Sequence, residues 1–347
     1  MDNNAKRNNT VLVFGAYGHT GRFIVDALLR RGLVPVLAGR DPRALASLGA
    51  KHPGLEVRVA TVDDDAEAAE VVRGVGVVIN AAGPFLATAR PLAAAAAQAG
   101  AHYLDVSAEQ GSVRDLYAAF GPGGATIDTA VIPAMSFYGG LADLLATAAA
   151  DDWLRVDSVE IGIGLDRWWP TRGTRITGAR NTATRLRVED ARLVPVPPVA
   201  QRRIWTFPDP IGTQTVLEQP FSEMITMSKH LHAARMRNFL SEIALTDIHD
   251  ASTEPPRAVD AHGRSAQRFV VEAIVARGDQ VRRSRASGQD IYHVTAPLVA
   301  EAAERLIDGR FSGAGALAPA EAFEADDFLV ALGREWLHYA PVTSRAG

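Results

Sequence analysis

From Val11 to Gly32 the chain reads VLVFGAYGHTGRFIVDALLRRG: four apolar residues, a polar stretch broken by glycines, then Phe23, Ile24, Ala27, Leu28 and Leu29 at helical spacing. A short unbroken apolar run reads as a buried strand, and apolar residues recurring at i, i+3 and i+4 read as a helix. The alternation continues along the chain. Strands are expected at Val34–Ala38, Val57–Thr61, Val75–Asn80, His102–Val106 and Thr129–Pro133. Helices are expected around Pro42–Leu48, Ala66–Arg73, Ala87–Ala99 and Leu141–Ala150. Alternating strands and helices imply right-handed crossovers and a parallel sheet, hence a Rossmann-like, doubly wound α/β domain.

Beyond residue 150 the pattern changes. β-rich runs at Val159–Leu165, Gln201–Phe207, Glu223–Met227 and Phe269–Val275 sit among Pro-rich connections such as 194-VPVPP-198 and 253-TEPPR-257. This is the pattern of an α+β lobe built on a mainly antiparallel sheet. Two further helices are expected at Ala296–Leu306 and Ala325–Trp336. The expected organisation is therefore a dinucleotide-binding domain over 1–150, a substrate-binding or dimerisation domain over 151–290, and a return to the first domain over 291–347. The run 269-FVVEAIV-275 suits a sheet with one covered face. A homodimer partner would cover it, and so would helices of the same chain.

Composition narrows the chemistry. The 347 residues are 47% hydrophobic and 22% charged with a net charge of -4, so there is no strong field to attract nucleic acid or an anionic membrane, and small molecules are the expected partners. Cysteine is absent, which excludes thiolate nucleophiles, iron–sulfur clusters and Cys-ligated zinc. The opening MDNNAKRNNT lacks the apolar core of a signal peptide, and no apolar run reaches the ~20 residues of a membrane span. A cytoplasmic location is expected.

Gly15, Gly18 and Gly21 form G-x-x-G-x-x-G directly between a strand and a helix. In such a turn the first glycine permits the bend, the second lets backbone N–H groups approach a pyrophosphate, and the third lets helix and strand pack closely. Ala16, Tyr17, His19 and Thr20 complete the loop, and the helix N-terminus offers its positive dipole to phosphates. The second strand ends in Gly39 and Arg40, where an acidic residue would grip the ribose 2′-hydroxyl of NAD. An arginine there suits a 2′-phosphate, so NADP(H) is the expected cofactor. Asp41 follows at once, and Arg40 as its ion-pair partner or as a solvated loop charge is the competing reading. After the fourth strand, Ala81, Ala82, Gly83, Pro84 and Phe85 place small residues where a nicotinamide ribose needs room; the same stretch also reads as a helix start.

None of the six tyrosines is followed by a lysine four residues later, which excludes the Tyr-x-x-x-Lys proton relay of short-chain reductases. Instead GAYGHTGR, LAGRDPRAL, VINAAGPF, 102-HYLDVSAEQ-110 and 285-RASGQDIYHVTAPLVAEAAERL-306, in that order, resemble the saccharopine dehydrogenase-like NAD(P)-dependent oxidoreductases. The resemblance is strongest in the first ~130 residues and again from Ser265 on. It implies a Rossmann domain, an inserted α+β domain and a C-terminal return to the first. It also implies reduction or formation of C–N bonds through imines, or reduction of activated C=C bonds. The stretches 167-RWWPTRGTR-175 and 229-KHLHAARMRNF-239 do not match the lysine-pathway enzymes, so a specialised-metabolite substrate is expected instead of saccharopine.

By the same resemblance Ser107, Ala108 and Glu109 line the nicotinamide edge. Glu109 can bind the carboxamide or a substrate amine, or it can cap the helix after Gly111. Tyr138 follows a sheet strand and can donate a proton, or it can serve as an apolar staple before the helix. Trp168 and Trp169 with Arg172 and Arg175 can form an aromatic wall with an anion-binding edge for a carboxylate or a carrier- or CoA-bound thioester. They equally suit a surface loop. His230 is a further candidate proton donor. His230 and His232, two apart, are expected on opposite faces of a strand, and no metal is expected there. The function expected is an NADPH-dependent reductase of a C=N or activated C=C bond. An amine or amino-acid dehydrogenase working oxidatively and a non-catalytic dinucleotide sensor are the alternatives.

Overall fold

The computed structural model describes residues 8–333 and 336–346. Its elements run β1 (Thr10–Phe14), α1 (His19–Arg30), β2 (Val34–Gly39), α2 (Pro42–Gly49), β3 (Val57–Val59), α3 (Asp65–Val71), β4 (Val77–Asn80), α4 (Phe85–Gln98), β5 (His102–Asp105), α5 (Gln110–Phe120) and β6 (Ala130–Ile132). A π-helical turn, Phe137–Leu141, leads into α6 (Ala142–Ala150), β7 (Val156–Leu165), α7 (Arg172–Arg180), β8 (Leu186–Glu189), β9 (Arg192–Pro195), β10 (Arg202–Thr206) and β11 (Thr213–Glu218). There follow α8 (Glu223–His230), β12 (Ala233–Ser241), α9 (Glu242–His249), β13 (Arg268–Arg277), β14 (Gln280–Gln289), α10 (Ile291–Ile307), β15 (Gly315–Ala316), α11 (Pro319–Ala322), α12 (Ala325–Leu332) and β16 (Leu337–Ala346).

The chain divides into two compact units. The first takes the chain through Ser107, then Gly111–Ser136 and Thr295–Leu317. Its sheet, among the described residues, has the order β15-β6-β5-β4-β1-β2-β3, every pairing parallel. Strands covered by helices on both faces are buried along their length, and β4 is buried at all four positions. Leu12, Phe14, Val36, Val78, Leu92 and Tyr103 belong to the core beneath them. The order reverses between β1 and β4, and a crevice outside the carboxyl ends of strands is where such sheets take ligands. Arg31, just after α1, pairs with Glu301 (2.5 Å) and Glu304 of α10, and Arg305 also reaches Glu301 (2.7 Å). Burial would raise the Glu301 carboxyl, but Arg305 and Arg31 hold it below the usual range.

The second unit takes Ala108–Gln110, Phe137–Val294 and the chain from Ala318 on. Its sheet runs β10-β11-β12-β7-β13-β14-β16, with β8 and β9 attached to β12. The β12–β7 pair is parallel and the others are antiparallel, so this second sheet is mixed. Trp205, Phe207, Val216, Phe239 and Val270 form a buried cluster within it.

Two sequence expectations are corrected. Glu223–Met227 was expected to be β-rich but is the start of α8. Ser222 stands at its N-cap, Glu223 lies in its first turn, and Lys229 and His230 end it on the side that favours cations. The helix expected over Ala325–Trp336 stops at Leu332, and the chain from Leu337 pairs antiparallel with β14 in the second sheet.

Candidate functional site

The glycine loop is built by close backbone approach. Gly15 sits at φ +88°, and the N–H groups of Gly15 and Ala16 both donate to the Ala38 carbonyl (2.8 and 3.2 Å), tying the loop to the end of β2. A Cβ on Gly15 would meet Ala81 and Ala82 at 3.0 Å, so the loops after β1 and β4 touch. A Cβ on Gly21 would stand 2.2 Å from the Gly15 carbonyl oxygen. The Tyr17 ring lies over Gly39, whose Cβ would come within 2.7 Å of it.

The start of α1 differs from its neighbours. Asp41 caps α2 by accepting from Arg43 and Ala44, and Asp64 caps α3 by accepting from Ala66 and Glu67. The N-cap of α1 is Gly18, with no side-chain cap and no acidic residue in the first turn. First-turn N–H groups have no partner inside a helix, so this end offers donors and positive dipole to an anion. Arg40 is exposed, and among the described residues its side chain has no ion pair; the Asp41 carboxylate serves the helix cap instead. These residues fit a dinucleotide carrying a 2′-phosphate.

The carboxyl ends of β4, β5 and β6 are fixed by a buried network for which no role was read from sequence. Asn80 Oδ1 accepts from the Ala82 N–H (3.0 Å), while Nδ2 donates to Thr88 Oγ1 (3.0 Å) and to the Tyr103 hydroxyl (3.1 Å). The Tyr103 hydroxyl donates to Asp105 Oδ2 (3.1 Å), and Asp105 Oδ1 accepts from the N–H groups of Ser107 (3.0 Å) and Ala134 (2.7 Å). Ser136 Oγ donates to the Ser107 carbonyl (3.3 Å). Three loops are thereby held by side chains at strand ends: 81–85, 106–107 and 133–136. A polar residue closing an apolar run, as in VVIN and HYLD, is the sequence signal that was there to be read. His102, at the start of β5, accepts from the Ala130 N–H through Nδ1 (3.0 Å).

In the second unit, Glu109 is buried and immediately precedes α5, which begins at Gln110, ahead of the start expected after Gly111. Gln110 donates to the carbonyls of Leu186 (2.9 Å) and Phe221 (3.0 Å) and accepts from the Leu186 N–H (2.7 Å). Tyr138 lies in the buried π-helical turn, its ring centroid 4.3 Å from Phe221, 5.0 Å from Phe137 and 5.3 Å from Trp168. Burial, together with the nearby Tyr292 and Glu223, pushes its phenol well above the usual range. Trp168 Nε1 donates to the Tyr292 hydroxyl (2.9 Å), which also bonds Thr171 and Thr174. Trp168 is therefore in one aromatic cluster with Tyr138, whereas Trp169 is half-buried and Arg172 exposed. The Arg175 guanidinium donates to the carbonyls of Ile248 (3.4 Å), Asp250 (3.0 Å) and Thr253 (2.8 Å), so its donors serve the backbone.

His230 and His232 do not share a strand: His230 ends α8, and His232 precedes β12. His230 Nε2 lies 2.7 Å from Oδ1 of the fully buried Asp143. Burial alone would lower the imidazole, but Asp143 outweighs it and holds the group above the usual 6.5. The pair's charge-assisted stabilisation is therefore complete below about pH 6.5 and is lost as pH rises through the higher folded value. Asp143→Asn is expected to destabilise by about 1–3 kcal/mol at pH 6 and by less at pH 9, read from thermal melts. Equal losses at both pH values would show that the His230 charge plays no part.

Residues 11–127 match the family model for the saccharopine dehydrogenase NADP binding domain. A lipid droplet localized protein of Caenorhabditis elegans is 32% identical over 111 residues, 28% of this chain and 26% of that protein. The match thus spans about a quarter of that curated relative. An apo, histidine-tagged saccharopine dehydrogenase (L-Glu forming) from Saccharomyces cerevisiae has a similar fold, with a TM-score of 0.66 at 15% identity over 97% of this chain and 100% of that one. No helix among the described residues is long and apolar enough to cross a membrane.

Proposed function

We propose that the chain is an NADPH-dependent reductase of a C=N or activated C=C bond in a small, specialised-metabolite substrate, a reading supported by the match of residues 11–127 to the saccharopine dehydrogenase NADP binding domain and by a fold similar to that of a saccharopine dehydrogenase. The observation that carries this reading is the uncapped start of α1 against a glycine cradle that leaves no room for side chains. Gly15, Ala16, Tyr17, Gly18, His19, Thr20 and Gly21 would hold the pyrophosphate, Gly39 and Arg40 the adenosine 2′-phosphate, and Ala81–Phe85 with Ser107 and Ala108 the nicotinamide end. NADPH bound there supplies hydride. The Asn80–Tyr103–Asp105 network keeps the loops in one arrangement, which is what positioning a hydride acceptor demands.

Tyr138 is the polar group offered to the substrate, since its phenol stays protonated and its walls are aromatic. Glu109 binds a substrate amine or the carboxamide, and Trp168 is part of the apolar wall. His230 is engaged with Asp143 and takes no chemical step in this reading.

Fluorescence titration with NADPH and NADH tests the cofactor half. Arg40→Ala is expected to weaken NADPH about 10–100-fold while leaving NADH unchanged, the range of a lost charge-assisted phosphate contact. Equal weakening of both nucleotides would remove Arg40 from the 2′-phosphate site. No binding of either would end the reductase reading.

A further inference from the structure

The buried oxygens of the second unit that have no hydrogen-bond partner among the described residues include those of Thr147, Asn238 and Ser265, and also the Tyr138 hydroxyl and Glu223 Oε2, which belong to adjoining elements. Tyr138 is 8% exposed and Glu223 0%. A buried polar group left unsatisfied costs about 1–3 kcal/mol, so two in one place call for a shared partner. Both are referred to the same residue: the Tyr138 ring packs 4.3 Å from the Phe221 ring, and the other Glu223 oxygen, Oε1, accepts from the Phe221 N–H (2.8 Å). The helix α8, which Glu223 begins, packs directly against the π-helical turn that carries Tyr138.

The surroundings leave these two groups neutral. Burial pushes the Glu223 carboxyl up to about 8, against the opposing pull of the Phe221 N–H and Arg185. At neutral pH it is mostly a carboxylic acid, and the phenol is likewise protonated. Each therefore presents an O–H donor. The Tyr292 hydroxyl, by contrast, is occupied by Trp168, Thr171 and Thr174. Arg185 lies with its guanidinium 5.1 Å from the Phe221 ring centroid and donates to the Pro220 carbonyl (2.9 Å), adding positive charge close by.

We propose that Tyr138 and Glu223 form a two-donor cradle for one substrate oxygen, the carbonyl of an α,β-unsaturated ketone or thioester. A phenol and a neutral carboxylic acid in an apolar site are suited to an oxygen that gains negative charge during reaction. Once the β-carbon has accepted hydride, the π electron pair moves to the carbonyl oxygen as an enolate. One proton from solvent at the α-carbon then completes the saturated carbonyl. An imine must instead be protonated at nitrogen, and taking that proton from Glu223 would leave a fully buried carboxylate, the form its enclosure disfavours. The inference rests on the reductase reading and selects the conjugated C=C branch of it.

The test is binding of 4-nitrophenolate, a chromophoric stand-in for the enolate, to the full chain in the presence of NADP+. The wild type is expected to bind it and to lower the pKa of the bound phenol. Tyr138→Phe and Glu223→Leu are each expected to weaken binding at least about tenfold, whereas Glu223→Gln, which keeps an N–H donor, stays within about threefold. Unchanged affinity in Tyr138→Phe, or a Glu223→Gln loss as large as that of Tyr138→Phe, overturns the cradle. So does the absence of phenolate binding in a protein that binds NADPH, which leaves the reductase intact. Phenolate binding without NADPH binding instead overturns the reduction in which the cradle is placed.

Discussion

Gly21→Ala is expected to abolish measurable NADPH binding while the chain still folds. The added Cβ would lie 2.2 Å from the Gly15 oxygen, 2.9 Å from the Ala16 oxygen and 3.0 Å from the Ala16 carbonyl carbon. All three are backbone atoms, so no side chain can swing aside, and α1 must move away from the loop. Overpacking of this kind costs about 1–3 kcal/mol or more in stability. Binding is hit harder, because the N–H groups meant for phosphate shift together with the helix start, and a loss of at least about 100-fold follows from removing two charge-assisted contacts. Gly18→Ala is the graded comparison: its Cβ would meet the Gly15 oxygen at 3.0 Å, and a smaller loss is expected. Fluorescence titration beside thermal melts separates binding from folding. An unchanged NADPH affinity in Gly21→Ala would mean that the loop holds no phosphate.

Glu223→Gln is expected to stabilise the protein increasingly as pH rises. With its folded value raised from 4.5 to about 8, the wild-type carboxyl favours the fold fully at low pH and loses that contribution between those two values. Glutamine keeps an oxygen for the Phe221 N–H and has no charge to form. The advantage of the variant should therefore be absent at pH 4.5, grow through neutrality and level off above pH 8, at about 2–5 kcal/mol and several degrees in melting temperature. Melts of both proteins at pH 5, 7 and 9 check it. Parallel curves would mean that Glu223 ionises as freely as a solvated carboxyl.

The first unit was legible because its signals are local. The apolar run ending at Phe14, the three glycines and the periodicity of α1 lie within one short stretch, and the element bounds agree within a few residues. What escaped depends on distance. Asn80, Tyr103 and Asp105 each end or sit within an apolar run, but their meaning lies in partners as remote as Ala134, which no window of sequence contains. Glu223–Met227 read as a strand because three of its five residues are apolar; position at a helix start and burial of every residue decide it otherwise. The isolation of Glu223 Oε2 is a property of enclosure, to which pattern and spacing are blind.

The first unit also has a consequence for synthesis on the ribosome. Its last segment, Thr295–Leu317, brings α10 to Arg31 and sets β15 beside β6, pairing Gly315 with Ala130 and Ala316 with Val131. At 5–20 residues per second, translation needs roughly 9–36 s to pass from Ser136 to Leu317. Throughout that interval the nascent sheet ends at β6 with an unpaired edge, the kind that recruits strands from other chains. A ribosome stalled within the second unit would hold that edge open, which makes pausing there a hazard for aggregation.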